Sequence, residues 1–228
     1  MKLILMERKT DGPEVESFMF KPDGPLTWKA GQFLHYVLHH EPTDGEGSDR
    51  WFTVASAPSE GFVMLTTRFP SEKRSTFKKA LRELKIGDAI EISDVDGDFL
   101  LGAADNSYVF IAGGIGITPF RSILKEALHE RKPIDVTLLY ANRDEHITYK
   151  EELESIAKEN PNLKIHYLIS PERVDEAKIR ELVPNIDKAF FYVSGPEPMT
   201  ESLGNMLKAM GISGDRIKQD WFPGYPAE

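Results

Sequence analysis

The 228-residue chain contains no cysteine. That excludes disulfides, thiolate zinc sites, a cysteine nucleophile and any iron–sulfur cluster held by its own thiolates. Long apolar runs are missing as well. No stretch approaches the roughly 20 residues of a membrane-spanning helix, so no membrane insertion is expected. The opening segment Met1–Arg8 has a short apolar run that soon meets charge, and it reads as a first strand rather than a signal peptide. Positive charge is in deficit: 28 Lys and Arg face 37 Asp and Glu, a net charge of −9. A nucleic-acid partner is not expected, because phosphate neutralisation needs a basic surface. Repeats and low-complexity tracts are also absent. What remains is the balance of a folded soluble chain, 40% hydrophobic and 29% charged. Its length suits one large or two small domains, and a cytoplasmic location is expected.

The sequence changes rhythm near its middle. Up to about Leu101, short apolar runs alternate with turn residues. Strands are predicted at Leu3–Arg8, Val15–Lys21, Gln32–His39, Trp51–Ala55, Gly61–Thr67 and Ala89–Asp94, the pattern of an antiparallel barrel or sandwich. One helix interrupts them: Ser75 is a candidate N-cap, and Phe77, Leu81 and Leu84 recur at helical spacing. Beyond a hinge at Gly102–Asn106, strands and helices alternate. Strands at Tyr108–Ala112, Val136–Tyr140, Ile165–Ile169 and Ala189–Val193 are separated by helices at Pro119–Arg131, Tyr149–Asn160 and Glu176–Leu182. A helix at Met199–Met210 and a short strand at Ile217–Trp221 close the series, which predicts a doubly wound parallel sheet.

Three segments carry chemistry. Tyr108–Pro119 runs from a buried strand through Gly113, Gly114 and Gly116 into a helix starting near Thr118 and Pro119. Such a turn lets backbone approach a ligand and aims helix N–H groups at a pyrophosphate; the other reading is a tight turn with no ligand. Val193–Met199, with Gly195 and Pro196, repeats the strand–turn–helix form. Both turns fall at the carboxyl edge of a parallel sheet and can serve one site. In Arg50-Trp51-Phe52-Thr53-Val54, Arg50 and Phe52 share one strand face. The guanidinium there can grip phosphate and the ring can lie against a planar cofactor; a barrel strand with one surface arginine is the alternative.

Taken together, these segments resemble the ferredoxin–NADP reductase superfamily. Arg50-x-Phe52-Thr53 is similar to its Arg-x-Tyr-Ser/Thr flavin motif, and Ala30-Gly31-Gln32-Phe33 to its Pro-Gly-Gln-Phe motif. Gly113-Gly114-Ile115-Gly116-Ile117-Thr118-Pro119 matches Gly-Gly-x-Gly-x-Thr-Pro, Ser194-Gly195-Pro196 resembles Cys/Ser-Gly-Pro, and Phe222 resembles an aromatic near the C-terminus. The motifs come in family order.

The resemblance implies an FAD-binding antiparallel β-barrel over residues 1–103 and an NAD(P)-binding α/β doubly wound parallel sheet over 104–228. It implies hydride transfer from the nicotinamide of NADH or NADPH to flavin N5, then electron delivery to a separate acceptor such as ferredoxin, flavodoxin or another carrier. Arg50 then binds FAD pyrophosphate, Phe52 packs against the flavin, and Thr53 and Val54 lie beside it. Thr66, Arg68, Ser75 and Thr76 border the same cofactor. Gly113, Gly114, Gly116, Thr118, Gly195 and Pro196 receive the nicotinamide dinucleotide. Thr53, Ser194, Asp220 and Phe222 surround the reacting rings, with Phe222 covering the flavin face and Asp220 positioning the nicotinamide or supporting charge. Phe52 lacks the family's tyrosine hydroxyl, Glu72-Lys73-Arg74 stands where glycine is usual, and Ser194 replaces a frequent cysteine.

Other signals are weaker. His35, His39 and His40 invite a metal reading, but His39 and His40 face opposite sides of a strand end. Asp94–Asp98 resembles a calcium loop with its glycine misplaced and its glutamate missing, and reads instead as the turn before the barrel's last strand. Arg68, Lys73, Arg74, Lys78, Lys79, Arg82 and Lys85 form a basic segment, either a solvated face or a surface attracting FAD and an acidic carrier. Ser170 and Arg173 favour a 2′-phosphate and Glu172 opposes it, leaving NADH and NADPH both open. A non-enzymatic nucleotide-binding sensor or regulatory module, or a free-flavin or ferric reductase, are the rival functions.

Overall fold

The structure is a computed structural model describing residues 1–70, 75–103 and 105–222, with Phe222 described by its backbone alone. Six antiparallel strands come first: β1 (Lys2–Gly12), β2 (Val15–Pro22), β3 (Phe33–Val37), β4 (Asp49–Thr53), β5 (Val63–Arg68) and β6 (Ala89–Asp96). They assemble in the order β4-β3-β6-β1-β2-β5. One face is buried, so β6 alternates: Ile90 and Ile92 point into the core while Glu91 and Ser93 are exposed. The sheet surrounds an apolar cluster that includes Leu3, Phe18, Leu34, Tyr36, Leu65 and Ile90. Helix α1 (Thr76–Glu83) closes it with fully buried Phe77 and Leu81, and Ser75 caps the helix by accepting from the Lys78 N–H.

The second half is a parallel sheet of β7 (Ser107–Gly113), β8 (Asp135–Asn142), β9 (Leu163–Ile169), β10 (Phe190–Pro196) and β11 (Ile217–Phe222). The spatial order is β11-β10-β7-β8-β9. Helices α2 (Thr118–His129), α3 (Lys150–Glu159), α4 (Glu176–Leu182) and α5 (Glu197–Ala209) make the crossovers. Two apolar clusters cover its two faces, and accordingly every residue from Tyr108 to Gly113 is buried. Chain order reverses between β7 and β10. In such sheets that reversal opens a crevice beyond the strands' carboxyl ends.

Sequence and structure agree on these elements, with one correction. Asp94–Asp98 does not precede a last barrel strand: β6 runs to Asp96 and is the last strand of the antiparallel sheet. Gly97, at φ +106, ends it. Phe99 then drops into the junction between the two sheets, 5.5 Å from Phe120 and 5.1 Å from Tyr192 between ring centroids. The segment at 102–106 does connect the two sheets; Ala104 lies outside the described residues.

A buried ionic clamp joins the halves. Arg121 of α2, 5% exposed, reaches Glu60 through two hydrogen bonds of 2.8 and 3.0 Å and Glu152 of α3 through two of 2.8 Å. It also donates to the Ala55 carbonyl at 2.8 Å. Burial pushes the Glu60 carboxyl up, but the Arg121 hydrogen bond and charge, with the Ala57 N–H and Lys125, hold it below its ordinary value. Arg121→Met is therefore expected to cost about 3–5 kcal/mol of stability, because it leaves two partly buried carboxylates without their main cation and only Lys125 nearby. Denaturant unfolding monitored by circular dichroism checks this; a loss near zero would show that the clamp is dispensable.

Candidate functional site

Where the reversal between β7 and β10 meets the antiparallel half lies a cleft of about 880 Å³. Gly113, Gly114 and Ile115 line its floor, Pro196 and Met199 one wall, and Glu14 and Arg68 the wall given by the first domain. Ser170, Glu172 and Arg173 sit at the end of β9, again on the lining. The two glycine turns read from the sequence thus come together. Arg68 and Glu14 form an ion pair of 3.1 Å across the rim.

The glycines differ in what requires them. Gly114 has φ +50, a left-handed conformation, with nothing near its missing side chain. A Cβ on Gly116 would stand 2.2 Å from the Ser194 carbonyl oxygen. The short 3₁₀ turn Gly114–Ile117 that precedes α2 is thereby pressed against β10. Gly116 is buried and does not line the cleft, so chain packing, not ligand approach, demands its glycine. Thr118 is similarly turned inward, its hydroxyl donating to Ile115 at 3.2 Å.

A second cluster forms around β4 and α1. Arg50 and Phe52 share a face, as the alternation requires, and both reach Phe77: the Arg50 guanidinium lies 5.5 Å from that ring and the Phe52 ring 5.8 Å. Phe52 also meets Tyr36 edge-on at 5.8 Å. The Thr76 backbone N–H, at the start of α1, donates to Asp44 at 2.8 Å. That hydrogen bond, offset in part by burial and helped by Thr76, Glu46 and Arg50, holds the Asp44 carboxyl down at about 2. Asp44 is a carboxylate at any working pH. Thr53 is 4% exposed and its hydroxyl has no hydrogen-bond partner among the described residues. Val54 is in the apolar core and donates its N–H to Gln32.

Residues 110–204 match the protein family described as oxidoreductase NAD-binding domain. A flavohemoprotein of Oceanobacillus iheyensis is 25% identical over an alignment of 236 positions that covers 96% of this chain and 58% of that protein. One subunit of the Na(+)-translocating NADH-quinone reductase of Klebsiella pneumoniae is 30% identical over an alignment of 225 positions that covers 86% of this chain and 53% of the relative. Among solved structures, the flavohem-like FAD/NAD binding domain of nitric oxide dioxygenase from Vibrio cholerae superposes with a TM-score of 0.84 at 21% identity, over 97% and 98% of the two chains. The ferredoxin-NADP+ reductase of Plasmodium falciparum gives 0.82 at 20% identity, over 97% and 95%.

The fold is that of this FAD/NAD binding domain and of the ferredoxin-NADP+ reductase. The chain spans only about 58% of the length of the flavohemoproteins it matches.

The other predicted residues fall as follows. Thr66 is buried, its hydroxyl bonded to Ser17 and to Tyr149, which reaches across from the second half. Tyr149 holds φ +61 to do so, a conformation that a bulky residue rarely adopts. Ser194 is fully buried and donates to Asp220 at 3.3 Å. Phe222 places its backbone beside Pro196; its side chain, and Tyr225, lie outside the described residues. Trp221 is half exposed, so it does not fill the core between the halves. The histidines are engaged singly: His35 with Ser93 and Asp49, His40 with Leu38 and Thr76. No metal-binding group of three such residues occurs among those described. In the basic segment Arg68 pairs with Glu14 and Arg82 with Glu16, while Lys78 donates to the Arg68 carbonyl. Lys73 and Arg74 lie outside the described residues.

Sequence reasoning missed Asp44 and Glu46, both paired with Arg50, and the Arg121 clamp. The first pair had a readable signal, two acids within six residues of the arginine. The clamp had none, since its members lie 61 and 31 residues apart in sequence.

The tight contact at Gly116 and the buried Asp220 can each be tested. Gly116→Ala should destabilise the fold by about 1–3 kcal/mol, as an overpacked backbone contact does, with a matching fall in thermal midpoint. An unchanged midpoint would mean that β10 gives way freely. For Asp220 the variable is pH. Burial pushes its carboxyl up from 3.8 to about 7, against the Ser194 hydrogen bond and with help from Asp98. The folded state therefore holds this proton where the unfolded chain has lost it. The associated stability is full below an unfolded pKa of about 3.8 and is lost as pH rises through about 7. Asp220→Asn should remove that loss, so its midpoint should fall less than wild type's between about pH 5 and about pH 8. Parallel profiles would place the Asp220 pKa at its ordinary value.

Proposed function

We propose that the chain is an FAD-dependent NAD(P)H oxidoreductase that passes electrons to a separate acceptor. The observation that carries this reading is the cleft between the two halves, where both glycine turns meet Arg68 at the reversal of strand order. A site built at that reversal suits a dinucleotide, and the match to an NAD-binding oxidoreductase family covers both turns. Three of the similar proteins carry flavin, NAD or reductase functions in their names, which supports the same class of chemistry.

The residues around β4 fit a flavin dinucleotide. Arg50 and the α1 N-terminus offer the charge and the N–H groups a diphosphate needs, and Phe52 offers an apolar ring beside them. The unpartnered Thr53 hydroxyl is a buried polar group that costs free energy until something bonds to it, and a flavin edge would do so. When bound, FAD supplies the hydride-accepting centre and the capacity to release electrons one or two at a time. The chain's own contribution is orientation and electrostatics. Gly114 leaves backbone open to a diphosphate, Ser194 fixes the Asp220 carboxyl, and the protonation of Asp220 near neutrality sets the charge at the end of β10 and β11.

On this reading the antiparallel half, residues 1–103, is the FAD-binding barrel: the edge strands β4 and β5 approach through the Ala55 N–H and the Met64 carbonyl at 2.8 Å. Residues 104–228 form the NAD(P) domain, and Phe222 the aromatic at their junction. Ser170, Glu172 and Arg173 all face the cleft, where Ser170 and Arg173 would favour a 2′-phosphate and Glu172 a free ribose. Ferredoxin, flavodoxin or another soluble carrier is the acceptor in this scheme, with the protein in the cytoplasm. No helix among the described residues is long and apolar enough to cross a membrane.

Anaerobic titration of the protein plus FAD with NADH and with NADPH tests the reading. The flavin absorbance should bleach with at least one of them, and Arg50→Ala should weaken FAD binding by about tenfold or more. Binding of both nucleotides without bleaching would make the chain a regulatory module instead.

A further inference from the structure

Arg50, the residue suited to grip a phosphate, already holds carboxylates. Its Nη2 lies 3.0 Å from Asp44 Oδ1 and 2.9 Å from Glu46 Oε2. Its Nη1 donates to the backbone carbonyls of Glu46, Gly47 and Asp49 at 2.9, 3.2 and 2.6 Å. The other Asp44 oxygen accepts the Thr76 N–H at the start of α1. The Thr76 hydroxyl is taken in turn by the Asp44 N–H at 3.0 Å and by His40 Nε2 at 2.9 Å. One carboxylate therefore bridges a guanidinium and a helix N-terminus. Those are the two elements with which proteins hold a diphosphate.

Position strengthens the comparison. The Arg50 and Asp44 side chains are only 16% and 27% exposed, so water screens their attraction less than that of a surface pair. Glu46, at 69%, sits at the rim and contributes less. Asp44 itself belongs to the polar loop between β3 and β4, outside either strand, so it can leave without unpairing a ladder.

We propose that Asp44 is a resident anion in the flavin diphosphate site, competing with the dinucleotide for Arg50 and the α1 N-terminus so that the flavin is held loosely and exchanges with solution. The proposal rests on the flavin reading of β4 and α1 given above. A diphosphate brings further negative charge to donors that Asp44 already satisfies, and like charges sharing one guanidinium repel. Binding must expel the carboxylate, and the hydrogen bonds lost with it offset those gained. A mere positioning role predicts the reverse, because an Asp44 that aims Arg50 at phosphate would help binding.

The test is equilibrium titration of the flavin-free full chain with FAD and with riboflavin, read by flavin fluorescence. Asp44→Asn should bind FAD about tenfold more tightly than wild type, the loss of one competing charge-assisted hydrogen bond. Riboflavin, which carries no phosphate, should bind both proteins equally. The FAD gain should shrink as salt rises. Asp44→Ser keeps an oxygen to cap α1 and should show the same gain, which guards against a folding defect in the first variant. Unchanged or weaker FAD binding by the folded variants would overturn the proposal, as would an equal gain for riboflavin. Failure of wild type and variants alike to bind either flavin would instead overturn the flavin reading, and the proposal with it.

Discussion

The guanidinium of Arg121 is the point on which the rest of the molecule depends. It is buried where three elements meet, and it satisfies Glu60 from the first half, Glu152 from α3 and a backbone carbonyl at the end of β4. A cation buried this deeply is tolerable only because every donor has a partner. The geometry of those partners fixes where α2 can stand, and α2 starts at the glycine turn that floors the cleft. Phe99 and Phe120 pack together at the junction, and Tyr149, whose ring lies 5.2 Å from the Arg121 guanidinium, continues the tie through its hydroxyl to Thr66 and Ser17. Apolar contact gives the two halves their adhesion; the directional bonds give them one relative orientation.

That orientation matters because the site belongs to neither half alone. Gly113, Gly114 and Pro196 come from the parallel sheet, and Glu14 and Arg68 from the antiparallel one. A small rotation between the sheets would move the cleft walls apart without disturbing either core. The polar clamp and the aromatic packing between the sheets both resist such a rotation.

Most of the architecture could be read from the amino acids. The alternation in Ala89–Asp94 and the continuous apolar run Tyr108–Ala112 reflect burial on one face and on two, and each announced its sheet type. Helix α1 was legible because its cap and its apolar spacing agree. The reading failed where a local pattern served a distant purpose. Asp94–Asp98 looked like a turn between strands of one sheet, but Phe99 is drawn away by an aromatic cluster belonging to the other half. At the site, the two glycine turns meet on one cleft, and Arg50 and Phe52 of the Arg-x-Phe-Thr segment both reach Phe77. What the motifs could not reveal is which glycine answers to packing, as Gly116 does, or that Arg50 is already engaged by acids of its own loop. Both depend on atoms brought close only by the fold.

The order of the antiparallel strands carries a consequence for how the protein forms. β6 lies between β3 and β1 and is separated from β1 in sequence by nearly the whole domain. Until it is made, β1 and β3 each present an unpaired edge, and the pairings that β6 supplies are almost entirely long-range. Loop-closure entropy must be met before those contacts return any stabilisation, so the first half should fold slowly relative to a helical protein of its size. During synthesis, the stretch from Leu3 to Arg68 waits with open edges for the residues between Ala89 and Asp96, and in that interval the nascent chain is most exposed to strand-to-strand association with its neighbours.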